Sequence, residues 1–195
     1  MAKKTQKRQL SKTAPRRSRK KIVKTASPGG RATAASTAQD RALRRHLVEL
    51  LRGGSAHLTF DQALEGLPAE LRGTKPSGVP HSIWQLLEHL RLAQWDILEF
   101  SRNPKYVALK FPDDYWPPNE APADDAAWQA SVKAFHADLK AMEDLISNPK
   151  TDLYAPIPHG EGQTILREAQ LVADHNAYHL GQIVLLRRLL GVWKG

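Results

Sequence analysis

No cysteine occurs among the 195 residues of this chain. That excludes disulfides, thiolate metal ligands and a cysteine nucleophile, and it fits the reducing cytoplasm in which the protein is expected. Acidic residues are missing from positions 1–37, which hold 12 of the 29 Lys/Arg. The other 17 basic residues stand against all 20 Asp/Glu, a net −3, so the formal charge of +9 belongs entirely to the first segment. No apolar run reaches the roughly 20 residues that a membrane-spanning helix needs, and no membrane association is expected. Arg16-Arg17 is a twin arginine, but no continuous apolar stretch follows it, which argues against an export signal.

With so few apolar side chains to bury, residues 1–37 are expected to form a disordered basic tail. Two readings of that tail stay open. It can attach the protein to nucleic acid without sequence preference through salt-sensitive phosphate contacts, or it can be a solvated extension with no dedicated partner. Residues 38–195 leave enough chain for one domain with a good core.

The signals along that domain are nearly all helical. Leu43, Leu47, Leu50 and Leu51 define a first helix, stopped by Gly53-Gly54. Thr59 with Gln62 opens a short helix through Leu67, read as a kinked continuation, and residues 68–81 read as a Pro/Gly loop. Ser82 with Gln85 makes a capping box before a helix whose apolar face carries Ile83, Leu86, Leu90, Ala93 and Ile97, ending near Asn103-Pro104. A further helix carries Trp128, Val132, Phe135, Leu139, Met142 and Leu145 at alternating steps of four and three, with Asp124 and Asp125 at its start. The last runs from about Thr164 to Leu190, with Leu171, Val172, His175, Tyr178, His179, Ile183, Leu186 and Leu190 as its inward pattern and Gly191 as its stop. No strand and no internal repeat is evident. The expected fold is all-α, a four-helix bundle with two long connections.

His175 and His179 lie four apart in Asp174-His175-Asn176-Ala177-Tyr178-His179-Leu180-Gly181-Gln182. On a helix that spacing stacks two imidazoles on one face, where both can reach one metal ion. Two core-edge histidines bonded to backbone or water fit the same spacing. His89, beside the apolar face of its own helix, adds a third imidazole. Two nitrogens from one helix and one from a facing helix form an open site, as a reactive metal requires, rather than the closed four-ligand shell of a structural one. Other metal chemistries fail on spacing. Di-iron bundles use Glu followed three residues later by His, and no Glu here has that partner. A zinc-protease helix needs Glu directly after its first His, where Asn176 stands.

With Leu86-Leu87-Glu88-His89 in one helix and the Asp174–Gln182 stretch in the last, residues 38 to 193 resemble the DinB/YfiT-like superfamily of four-helix bundles. The resemblance implies that His89, His175 and His179 are the metal ligands. Family members include proteins classed as metal-dependent hydrolases, transferases using small thiols such as bacillithiol or mycothiol, and many with no assigned activity. The expected cofactor is therefore one divalent transition metal, Zn, Ni or Fe by ligand type, with a low-molecular-weight thiol in the transferase case. A small-molecule substrate is expected in either, and a homodimer is compatible with the fold. The alternative is a non-catalytic metal- or ligand-binding bundle, tethered to nucleic acid by its tail.

Asp174, Gln182 and His57 are candidates to orient a ligand or line the pocket. His46, His57, His81, His136 and His159 lack paired spacing and are expected at the surface. Residues 104–121, with Tyr106, Phe111, Tyr115 and Trp116 among prolines, form either a pocket wall or a plug over the bundle end. The plug is favoured because aromatics usually bury for packing.

Overall fold

Three of the four long helices open on a side-chain cap, and a glycine or β-region residue follows the end of each, in the computed structural model, which describes residues 34–194. Four long helices and one short one make up the domain: α1 (Ala34–Arg52), α2 (Phe60–Leu64), α3 (Ile83–Arg102), α4 (Asp125–Ser147) and α5 (Ile165–Leu189). Single 3-10 turns occupy Ala69–Leu71 and Asp113–Tyr115 within the connections. Among the described residues the extended contact is one isolated bridge, Pro156 with Thr164.

The caps follow from side-chain chemistry. Ser82 Oγ accepts from Gln85 N and Gln85 Oε1 accepts from Ser82 N, both at 3.1 Å, so the first turn of α3 leaves neither donor bare. Thr59 and Gln62 do the same for α2, which ends at Leu64 as a separate helix rather than continuing α1 through Leu67. Gly53 (φ 68°) ends α1, a conformation that side chains with a Cβ rarely adopt. The start of α1 differs from expectation. Residues 34–37 are helical rather than part of the tail, since alanine-rich sequence extends a helix already anchored by buried Leu47 and Leu51. The rest of the expected tail, and its reading as a polyanion arm, lies outside the described residues.

In the bundle α3 packs between α4 and α5, and α1 closes the square against the same two helices. Trp84 meets Trp128, the Ser131 hydroxyl donates to Glu88, and the Gln94 amide donates to Phe135 O at 2.7 Å. That rising register means α3 and α4 run in the same direction. Their connection must therefore return along the whole of α3, about 30 Å for 20 residues. It does so beside the helix. Tyr106 and Tyr115 meet Asp96, Trp116 meets His89, and Glu120 O accepts from Ser82 near the helix start. A second apolar cluster, with Leu51, Leu98, Met142 and Ile165, lies beyond the first, which holds Phe60, Leu87, Phe135 and Ile183.

Two buried arginines fasten the short elements to the bundle. Arg187 donates to Ala63 O (2.6 Å) and Glu65 O (2.7 Å), satisfying the last carbonyls of α2, and its guanidinium lies over Trp193. Arg44 donates to Ile146 O (2.7 Å), Asn148 O (2.9 Å) and Thr151 O (2.8 Å), closing the end of α4. Replacing Arg187 with methionine keeps the apolar stem but strands those carbonyls. The expected cost is about 3 kcal/mol, from charge-assisted bonds of about 1.5–3 kcal/mol each, only partly re-satisfied by water. Urea unfolding checks it, and a change under about 0.5 kcal/mol, the scale of ordinary surface substitutions, would remove the clamp from the account.

Candidate metal centre

His89 lies two turns into α3, while His175 and His179 stack on adjacent turns of α5. The two helices run antiparallel, which brings the three imidazoles together. Ring centroids are 4.9 Å apart for His89 and His175, 4.6 Å for His89 and His179, and 4.5 Å for His175 and His179. One ring nitrogen from each lies within 4.8 Å of the other two, and among the described residues no other His, Asp or Glu trio does so.

Hydrogen bonds decide which nitrogens face inward. His89 Nδ1 is 3.0 Å from Tyr115 O, a carbonyl that can only accept, so Nδ1 carries the proton and Nε2 is bare in the neutral ring. His179 Nδ1 likewise donates to Gln182 Oε1 at 2.7 Å. His175 Nε2 stands 3.0 Å from His89 Nε2, whereas its Nδ1 is buried with no hydrogen-bond partner. Two of the three rings are thus held in the tautomer that a metal ligand needs by an acceptor behind them.

Electrostatics favours the same state. Burial, reinforced by the neighbouring imidazoles, pushes His175 down to about 3. Burial also pushes His89 down to about 4, against the opposing pull of Tyr115 O. His179 is lowered by burial, partly offset by Gln182. A cluster that resists protonation at neutral pH offers lone pairs to a cation, and a buried imidazole nitrogen without a partner is the kind of atom that ligation rearranges. The donor set fits a divalent transition metal.

The returning loop supplies a wall. Trp116 stacks on His89 at 3.9 Å with the planes 1° apart, and His81 stacks on the other face of Trp116 at 3.8 Å. The loop is therefore a side wall of the histidine cluster, not simply a plug over the bundle end, and Phe111 at 77% exposure plugs nothing. His81, expected at the surface, is half-buried, its pKa lowered by burial and then by Lys75. Its only sequence signal was its place immediately before the Ser82 cap.

The remaining candidates separate. Gln182 touches His179. Asp174 is exposed, as is His57, whose Nδ1 meets Leu58 O. His46 is exposed too, His136 pairs with Asp61, and His159 Nε2 lies 2.7 Å from Phe100 O. Tyr178 turns outward at 65% exposure, and the buried place next to His175 goes to Asn176 instead. Asn176 donates to Gln94 Oε1 at 3.0 Å, completing an amide chain to Phe135 O across three helices. Among the described residues no helix is long and apolar enough to cross a membrane.

The family model of the DinB superfamily matches residues 55–183, a span that takes in His89, His175 and His179. No curated protein and no solved structure matches the chain.

Proposed function

Because the chain belongs to the DinB superfamily, we propose that it is a metal-dependent enzyme holding one divalent transition metal on His89, His175 and His179. It acts as a hydrolase or as a small-thiol-dependent S-transferase. The observation carrying this reading is the convergence of three imidazole nitrogens, two of them in rings pinned by Tyr115 O and Gln182. The metal, when bound, supplies a Lewis acid that makes water or a thiol ionise near neutral pH.

The chain's own residues do the rest. Tyr115 O and Gln182 orient two rings before any ligand arrives, so little reorganisation accompanies binding. Trp116 lies flat against His89 and shields it from bulk water on that side. His81 is the titratable side chain outside the trio whose charge acts on both His89 and His179. A neutral His81 imidazole can accept a proton and pass it to solvent. With no cysteine in the chain, any thiol must come with the substrate or as a co-substrate.

The test is turnover by the full chain loaded in turn with zinc, nickel and ferrous iron. One panel pairs low-molecular-weight thiols with electrophilic substrates, and another offers esters and amides. Metal-dependent thioether formation supports the transferase arm; metal-dependent release of acid supports the hydrolase arm. Both should vanish with chelator and in His175→Ala. Turnover that persists unchanged under chelation would overturn the reading. Stoichiometric metal with no turnover on either panel favours the non-catalytic bundle.

A further inference from the structure

One turn before His175 on α5, and two turns past His89 on α3, a cavity of about 510 Å³ opens between the two helices under the returning loop. That volume suits a small organic ligand. Its walls are apolar where Ile97, Phe100 and Leu171 face it, and acidic at its inner end.

Two buried carboxylates set the chemistry. Asp96, 9% exposed, receives the hydroxyls of Tyr106 and Tyr115, the latter at 2.7 Å. Burial and the adjacent Asp96 charge push both phenols well above their usual range, so they stay protonated, leaving phenol lone pairs free to accept. Glu168, only 2% exposed, accepts from Arg167 at one oxygen (2.7 Å), while its other oxygen has no hydrogen-bond partner among the described residues. Arg167 is largely solvated, so its charge is screened on the side away from the cavity. Glu161 on the rim is exposed and screened in the same way, so the two buried carboxylates, Asp96 and Glu168, set the sign of the cavity against one guanidinium. A free carboxylate oxygen, lone pairs on two phenols and net negative potential beside apolar walls ask for a donor-rich cation with a hydrocarbon body.

We infer that this cavity is a binding site for an organic ammonium ligand, whose charged end meets Glu168 and the Asp96–tyrosine group while its apolar body lies against Phe100 and Leu171. Binding does not depend on the proposed metal chemistry. Tyr115 nonetheless ties the two places together, with its carbonyl on His89 and its hydroxyl on Asp96. If the metal reading also holds, the ligand's amine is anchored about 10 Å along α3 from the metal ligand, seven residues at about 1.5 Å each.

The experiment uses the full chain, metal-free in chelator, and three probes sharing one phenyl body: phenethylammonium, phenethyl alcohol and hydrocinnamate. Proton–nitrogen correlation spectra report where each binds and how tightly. Phenethylammonium should shift the amides around Tyr106, Gly160 and Leu171, and should bind at least about tenfold more tightly than either comparison compound, the ratio that one well-placed ion pair supplies. Glu168→Gln should remove most of that preference. Ala108→Trp, on the exposed rim, should block all binding without touching the core. Equal or stronger binding of the alcohol or the carboxylate would overturn the inference. So would shifts outside the cavity, or affinity indifferent to Ala108→Trp. Because the probes are read without metal, failure here leaves the metal reading standing, and failure of the metal reading leaves this one to its own result.

Discussion

In the His175→Ala chain, divalent metal affinity is expected to fall by more than about 100-fold, beyond the 10- to 100-fold typical of losing a group that merely orients a ligand. The reason is geometric. His175 Nε2 lies 3.0 Å from His89 Nε2, so in the proposed site it would supply the lone pair that links α5 to α3 around one ion. His89→Ala should be as damaging from the opposite helix, whereas Gln182→Leu, which only frees the His179 ring, should cost about tenfold. Thermal unfolding gives a second readout. A ligand held at 100 times its Kd stabilises the native state by about 2.7 kcal/mol, worth roughly 5–10 °C in a domain of this size. Wild type should show that rise on metal addition and His175→Ala should not. The variant should stay helical, since none of the three histidines belongs to either apolar cluster. Retention by His175→Ala of both stoichiometric metal and the thermal shift would remove the three-histidine assignment.

Acid should destabilise the metal-free chain well before its carboxylates titrate. His89 and His175 have folded-state values of about 4 and 3, below the ordinary histidine value of 6.5. Between those limits the unfolded chain binds protons that the folded chain refuses, so stability rises with pH across the window. Their contribution is therefore complete above about pH 6.5 and is lost progressively as the pH falls toward 3. His81 and His179, also lowered by burial, act in the same direction. Glu88, held below the usual carboxylate range by Arg91 and Ser131 against the opposing effect of burial, contributes the same sign only further down. Urea midpoints in chelator should fall steadily from about pH 7 to about pH 4.5, and replacing both His89 and His175 with glutamine should flatten much of that slope. Bound metal should steepen it, because protons then compete with the ion for the same lone pairs. A midpoint independent of pH over that range would contradict the burial of the cluster as described.

Sequence alone determined what depends on neighbours along the chain. The capping boxes at Thr59 and Ser82, the glycine stops at Gly53 and Gly191, and the leucine spacing set the helices, because caps and periodicity are local. The step of four between His175 and His179 placed two imidazoles on one face for the same reason. Propensity left the start of α1 undecided, and there the expected tail ran four residues into a helix. Tertiary structure decided everything that rests on direction. That α3 and α4 run parallel follows from packing across the bundle, not from either helix's sequence. This orientation makes residues 103–124 return along α3, carrying Trp116 onto His89, His81 into the same stack, and two phenols onto Asp96. The Arg44 and Arg187 clamps bridge more than a hundred residues, as does no periodic signal in the chain. Outward-facing Tyr178 makes the same point, since its spacing matched the inward pattern and only the position of α3 and α1 around α5 fixed which side of the helix met solvent.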